Sequence, residues 1–118
     1  MRVLDAGCGS GRNLHYLLQT GYEVFGVDAD PRAIATVRAL AAQLAPPGRP
    51  DNFRTESVER MSFPDEFADV VVSSAVLHFA TDEAHFMAML QSSWRVLKRG
   101  GLFFCRLASC WQHWLVYR

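Results

Sequence analysis

Three glycines stand at alternate positions in the run Val3-Leu4-Asp5-Ala6-Gly7-Cys8-Gly9-Ser10-Gly11, with an acid just before them. Glycine tolerates positive φ and has no side chain to obstruct a neighbour, so a turn built from Gly7, Gly9 and Gly11 lets a ligand come close to the backbone. A helix starting behind such a turn adds unpaired amides and partial positive charge. A second acid, Asp28, follows roughly 20 residues past the turn, where a carboxylate is placed to meet a ribose. Its two oxygens can accept from both vicinal hydroxyls. The chemistry on offer is the binding of a nucleoside-bearing ligand.

Two features narrow that ligand. A dinucleotide site repeats glycine as G-x-G-x-x-G. Its third glycine falls here at Arg12, which counts against a dehydrogenase. Asp5, directly before the turn, disfavours a pyrophosphate and suits a cation. S-adenosylmethionine carries an ammonium and a sulfonium on an adenosine, and it fits both acids.

These residues need elements to hold them. Residues 2–6 read as a short buried strand. Residues 11–20 read as a helix, with Leu14, Leu17 and Leu18 at helical spacing, Ser10 as N-cap and Gly21 as terminator. Residues 22–28 form a second strand. Asp30-Pro31 opens a helix, a capping acid followed by proline at the first helical position. That helix runs to about Leu44 with Ile34, Val37, Ala41 and Leu44 on one face, and Pro46-Pro47-Gly48-Arg49-Pro50 is a loop. Residues 52–57 make a third strand. The nearly continuous apolar run 67–75 reads as a central parallel strand. Residues 82–97 form a helix with Phe86, Met87, Leu90, Trp94 and Leu97 inward, stopped by Gly100-Gly101, and residues 102–107 form a fifth strand. Strands alternating with helices imply an α/β fold, a parallel sheet with helices on its faces and right-handed crossovers.

At this point the chain resembles the class I S-adenosylmethionine-dependent methyltransferases along nearly all its length. The matching segments are Val3 to Gly11, Gly26 to Pro31, Glu56 to Phe63, Phe67 to Phe79 and Leu97 to Leu107. The run Gly7-Cys8-Gly9-Ser10-Gly11-Arg12-Asn13 is also similar to the tellurite-resistance and thiopurine branch. The resemblance implies a Rossmann-like, doubly wound parallel sheet of five strands in the order 3-2-1-4-5, without the family's usual strands 6 and 7. It implies S-adenosylmethionine as cofactor, S-adenosylhomocysteine as product and a small-molecule methyl acceptor. Asp5, Gly7, Cys8, Gly9, Gly11 and Asn13 belong to the loop that carries the methionine end. Asp28 takes the ribose, Ala29 lines the adenine pocket, and Ser57 stands where relatives place an aspartate for the adenine amine. The Val58 amide reaches an adenine nitrogen, and the Ser74 carbonyl faces the cofactor from the fourth strand. No metal is implied.

His78, after the fourth strand, is the candidate acid-base residue; its plainer alternative is a loop histidine closing the pocket. His15 and His85 read as solvated helix residues, Cys8 as a backbone contributor, and Phe79 and Phe86 as packing. Methyl transfer asks little of side chains, because the sulfonium is already an activated leaving group.

Composition excludes other classes. The chain has 118 residues, half of them apolar, and twelve basic residues balance twelve acidic ones, so no electrostatic footprint for nucleic acid or an anionic membrane is expected. Arg95, Lys98 and Arg99 complement a helix C-terminus. Cys8, Cys105 and Cys110 show neither disulfide nor zinc spacing, and a reducing cytoplasm is the expected compartment. Residues 1–107 read as the cofactor-binding core and 108–118 as an apolar tail. Against the family pattern the chain is expected to be truncated at both ends, leaving the fifth strand as an open edge. The tail, with Trp111, Trp114, Leu115, Val116 and Tyr117, is expected to cover that strand or to join a second chain as a homodimer. Two functions stand: a methyltransferase, or a cofactor-binding module without turnover of its own.

Overall fold

The computed structural model describes residues 1–74, 80–107 and 112–118. Nine main elements follow along the chain: β1 (Arg2–Ala6), α1 (Leu14–Gln19), β2 (Glu23–Asp28), α2 (Pro31–Leu44), β3 (Phe53–Thr55), β4 (Ala68–Ser74), α3 (Glu83–Val96), β5 (Leu97–Leu107) and β6 (Gln112–Tyr117). Short 3-10 turns occupy Pro50–Asn52 and Val58–Arg60.

One mixed sheet runs β3-β2-β1-β4-β5-β6. The first five strands are parallel and follow the expected order. The expected five-stranded sheet is nevertheless one strand short. β6 pairs antiparallel with β5, from Leu102↔Tyr117 to Leu107↔Gln112. The open edge of the fifth strand is therefore covered by the chain's own tail, because the backbone groups exposed there pair with the nearest extended segment.

The helices divide between the two faces. Ile34, Val37 and Ala41 of α2 and Leu14 and Leu18 of α1 pack with Val24 and Phe53 on one face. On the other face Met89 and Val96 of α3 pack with Leu4, Phe25, Val27, Val71 and Phe103. Phe25 meets Phe63 and Phe67 edge-on, at centroid distances of 5.8 and 4.7 Å. Asp30 caps α2 through the Arg32 amide at 2.9 Å, with Pro31 following, as the Asp-Pro pair implies.

Three local expectations need correction. α1 begins at Leu14 after Asn13, not behind Ser10, because residues 9–12 are held in the glycine turn. α3 stops at Val96, and Gly100-Gly101 lie inside β5, where the pairing with β4 shifts register between Ala68 and Val70. The inward face of α3 is also rotated: Met89, Ser92, Ser93 and Val96 are buried and Met87 is exposed. Phe86, Leu90 and Trp94 pack at the margin of that core.

Candidate functional site

The C-terminal ends of β1, β2 and β4 meet at the glycine turn, the edge of a parallel sheet where ligands bind. The turn is anchored on β2. The Gly7 and Cys8 amides both donate to the Val27 carbonyl, at 2.9 and 2.8 Å, and the Gly11 amide donates to the Cys8 carbonyl at 3.1 Å. Gly7, Gly9 and Gly11 have φ of 90, 54 and 93°, the left-handed region that residues with a Cβ avoid.

The three glycines do different work. A Cβ on Gly9 would meet nothing within 4 Å, so its face is open to a ligand. A Cβ on Gly11 would lie 3.1 Å from Leu40 and 3.2 Å from Val37. Gly11 is buried and lines neither of the clefts described below. It lets α2 approach the turn. Gly26, on β2, plays the same part for Cys8: a Cβ there would lie 3.1 Å from the Cys8 Sγ. The thiol is packed against the sheet below the turn, and burial with the negative charges of Asp5 and Asp28 pushes it up to about 12. That leaves Cys8 its backbone for ligand contact.

Asp28 is more deeply built into the site than its spacing suggests. Its Oδ2 accepts the Gly9 amide at 3.0 Å and its Oδ1 accepts the Asp30 amide at 2.9 Å. The acid therefore braces the turn and caps the start of the next loop, and each oxygen keeps a further lone pair for a ligand hydroxyl. Its own carbonyl takes the Glu56 amide at 3.0 Å, which brings the segment after β3 alongside.

Asp5 lies beneath the turn, 1% exposed, and neither of its oxygens has a hydrogen-bond partner among the described residues. Burial, reinforced by the nearby Asp28 charge, raises its carboxyl to about 7. A buried acid without a partner is costly unless a cation or a donor is supplied. The fit to a cationic ligand rests on this: among the described residues the site offers a carboxylate and no counter-charge.

A cleft of about 420 Å³ opens above the turn, lined by Gly7, Gly9, Asp28, Ala29, Ser57, Val58, Glu59, Ser74, His85 and Met89. Six of the sequence-derived residues thus meet there with Ser74: Gly7, Gly9, Asp28, Ala29, Ser57 and Val58. A second cleft, about 560 Å³, shares Gly7, Gly9 and Ser74 with the first and adds Cys8, Ser10, Arg12, Asn13, Phe104 and Arg106. His78 lies outside the described residues.

His85, expected to be solvated, instead lines the first cleft. Its Nδ1 accepts the Thr81 amide at 3.0 Å, and its Nε2 lies 3.3 Å from Glu59 Oε1. An accepting Nδ1 leaves the proton on Nε2, directed at Glu59. The pair joins the turn Val58–Arg60 to the first turn of α3, which Asp82 caps through the His85 amide at 2.7 Å. Only one signal for it existed in the sequence, the capping acid at Asp82. Arg95 holds the following loop, donating to the Met61 and Phe63 carbonyls at 2.7 and 2.8 Å and pairing with Asp65. Among the described residues, no helix is long and apolar enough to cross a membrane, and no three His, Cys, Asp or Glu side chains form a group that could hold a metal ion.

Comparison with known proteins gives the family. Residues 4–105 match the family model described as a methyltransferase domain. The chain is 33% identical over 105 residues to a ubiquinone biosynthesis O-methyltransferase of Cereibacter sphaeroides, covering 89% of this chain and 40% of that protein. It is 32% identical over 101 residues to a probable S-adenosylmethionine-dependent methyltransferase of Mycolicibacterium smegmatis, covering 86% of this chain and 35% of that one. The chain thus spans well under half the length of these curated relatives. Among solved structures, a SAM-dependent methyltransferase from Methanosarcina mazei superposes with a TM-score of 0.77 at 30% identity, covering 88% of this chain and 50% of that one.

Proposed function

Because this chain belongs to the methyltransferase-domain family, whose cofactor is S-adenosylmethionine, we propose that it holds that cofactor in the cleft above the glycine turn and serves methyl transfer to a small-molecule acceptor. The observation that carries the assignment to this cleft is Asp28, which ties its carboxylate to the Gly9 amide while lining the cleft. Gly7 and Gly9 take the methionine end, and Asp28 accepts from the ribose. Ala29, Ser57 and Val58 line the adenine end, and Ser74 closes the opposite wall. Asp5 supplies a negative potential from below; in its dry surroundings that field is poorly screened. When bound, the cofactor supplies a methyl group on a sulfonium leaving group. The chain's share is orientation: the turn, braced on Val27 and Asp28, fixes where the reacting end lies before an acceptor arrives.

Titration calorimetry with S-adenosylmethionine and S-adenosylhomocysteine tests the reading. Binding tighter than millimolar is expected, and its absence refutes the proposal. Asp28→Ala is expected to weaken binding by about 1–3 kcal/mol, the cost of losing charged hydrogen bonds. An unchanged affinity removes Asp28 from the ribose. The second reading is cofactor binding without independent turnover. Binding without transfer of a labelled methyl group to any of a panel of small acceptors favours it.

A further inference from the structure

The second cleft differs from the first in charge. The first is lined by two acids, Asp28 and Glu59. Among the described residues, the second is lined by no acid and by two arginines, Arg12 from the glycine turn and Arg106 from the end of β5. Four other guanidinium groups, those of Arg38, Arg54, Arg95 and Arg118, donate to backbone carbonyls. Arg12 and Arg106, both exposed, have no hydrogen-bond or ion-pair partner among the described residues. Their placement is set by the sheet. Ser74 stands opposite Arg106 in the parallel pairing of β4 with β5, and Phe104, two residues before Arg106, stands opposite Val72 on the same face. The cleft therefore offers an apolar wall, two cationic forks and a lip, Gly7, Gly9 and Ser74, in common with the first.

We propose that this second cleft is the acceptor side of the site and that it takes a small molecule bearing a carboxylate or phosphate on an apolar body. The proposal rests on the reading above that the first cleft holds the cofactor. A guanidinium presents parallel N–H donors matched to the oxygens of either anion. A volume of about 560 Å³ accommodates a small organic ligand. With the two clefts meeting at a shared lip, a ligand anchored at its anionic end by Arg12 and Arg106 extends its other end toward the cofactor. Cationic acceptors meet two positive charges that no described residue offsets and are disfavoured.

The test uses the wild-type chain and the variants Arg12→Gln and Arg106→Gln, both at exposed positions. Each is saturated with S-adenosylhomocysteine and titrated by NMR with benzoate, phenyl phosphate and benzylamine. Benzoate and phenyl phosphate are expected to bind, more weakly as sodium chloride rises, and about two- to fivefold more weakly to each variant. Benzylamine is expected not to bind, and affinity for S-adenosylhomocysteine is expected to stay within about threefold. Equal anion affinity in wild type and variants, or none in either, overturns the proposal. A loss of about tenfold or more in S-adenosylhomocysteine affinity overturns it as well, because the arginines then hold the cofactor's own carboxylate. Failure of the wild-type chain to bind S-adenosylhomocysteine refutes the cofactor reading instead. The anion titration without it still reports on the two arginines.

Discussion

Replacing Asp5 by asparagine should make the protein more stable at alkaline pH and a poorer cofactor binder. The Asp5 carboxyl is 1% exposed and lacks a hydrogen-bond partner among the described residues. Burial first, then the charge of Asp28, raises it from 3.8 to about 7. A raised acid keeps its proton in the folded chain over a range where the unfolded chain has lost it. Its contribution to stability is therefore whole below pH 4, declines as pH rises, and is gone above about pH 7. At about 1.4 kcal/mol per pKa unit, roughly three units come to about 4 kcal/mol. That is a large part of the stability of a small domain. Asparagine cannot ionise and does not incur this loss. It does bury an amide without a partner, but that cost is the same at every pH. Urea unfolding at pH 5 and pH 8 isolates the effect: the stability of Asp5→Asn relative to wild type should rise by about 2–3 kcal/mol between the two. A pH-independent difference would show that Asp5 is not a buried, strained acid. With cofactor, the sign reverses. A cationic ligand favours ionised Asp5, so wild-type affinity for S-adenosylmethionine should increase from pH 6 to pH 8, whereas that of Asp5→Asn should not.

Two further predictions concern the packing under the turn. Gly26→Ala sets a methyl 3.1 Å from the Cys8 Sγ and 3.3 Å from Phe53, and such overpacking should cost about 1–3 kcal/mol in urea unfolding. An unchanged midpoint would mean that the turn does not press on β2. Cys8, raised to about 12, has almost no thiolate at pH 8. Its alkylation by iodoacetamide, followed by peptide mass spectrometry, should be about 100-fold or more slower in the folded chain than in urea. Comparable rates would place the thiol in solvent.

Whereas the order of the five parallel strands was implied by the family resemblance, the alternation of strands with helices, the glycine turn and Asp28 were legible in the residues themselves. They depend on short-range signals: apolar runs, a capping Asp30-Pro31, and glycines at alternate positions within one strand-turn-helix unit. The sheet's sixth strand was half legible. The tail is apolar enough to demand cover, but no pattern within it states that it will turn back antiparallel on β5. The face of α3 was misjudged because Met87 and Met89 are equally apolar, and the crossing of that helix over β4 and β5 decides which is buried. Likewise Gly11 is indistinguishable by spacing from Gly7 and Gly9, yet Leu40 and Val37 of a later helix assign it to packing.

The sequence by itself pointed to a place for a nucleoside-bearing cofactor, because the glycine turn and Asp28 lie in consecutive β-α-β units whose geometry is local. Only the tertiary structure decided the charges around it. Asp5 becomes a buried acid without a hydrogen-bond partner among the described residues through the strands on either side of it. Glu59 meets His85 across 26 residues of chain, and Arg12 meets Arg106 at one cleft through the pairing of β4 with β5. Coulomb energy depends on distance and dielectric, and both are properties of the folded chain.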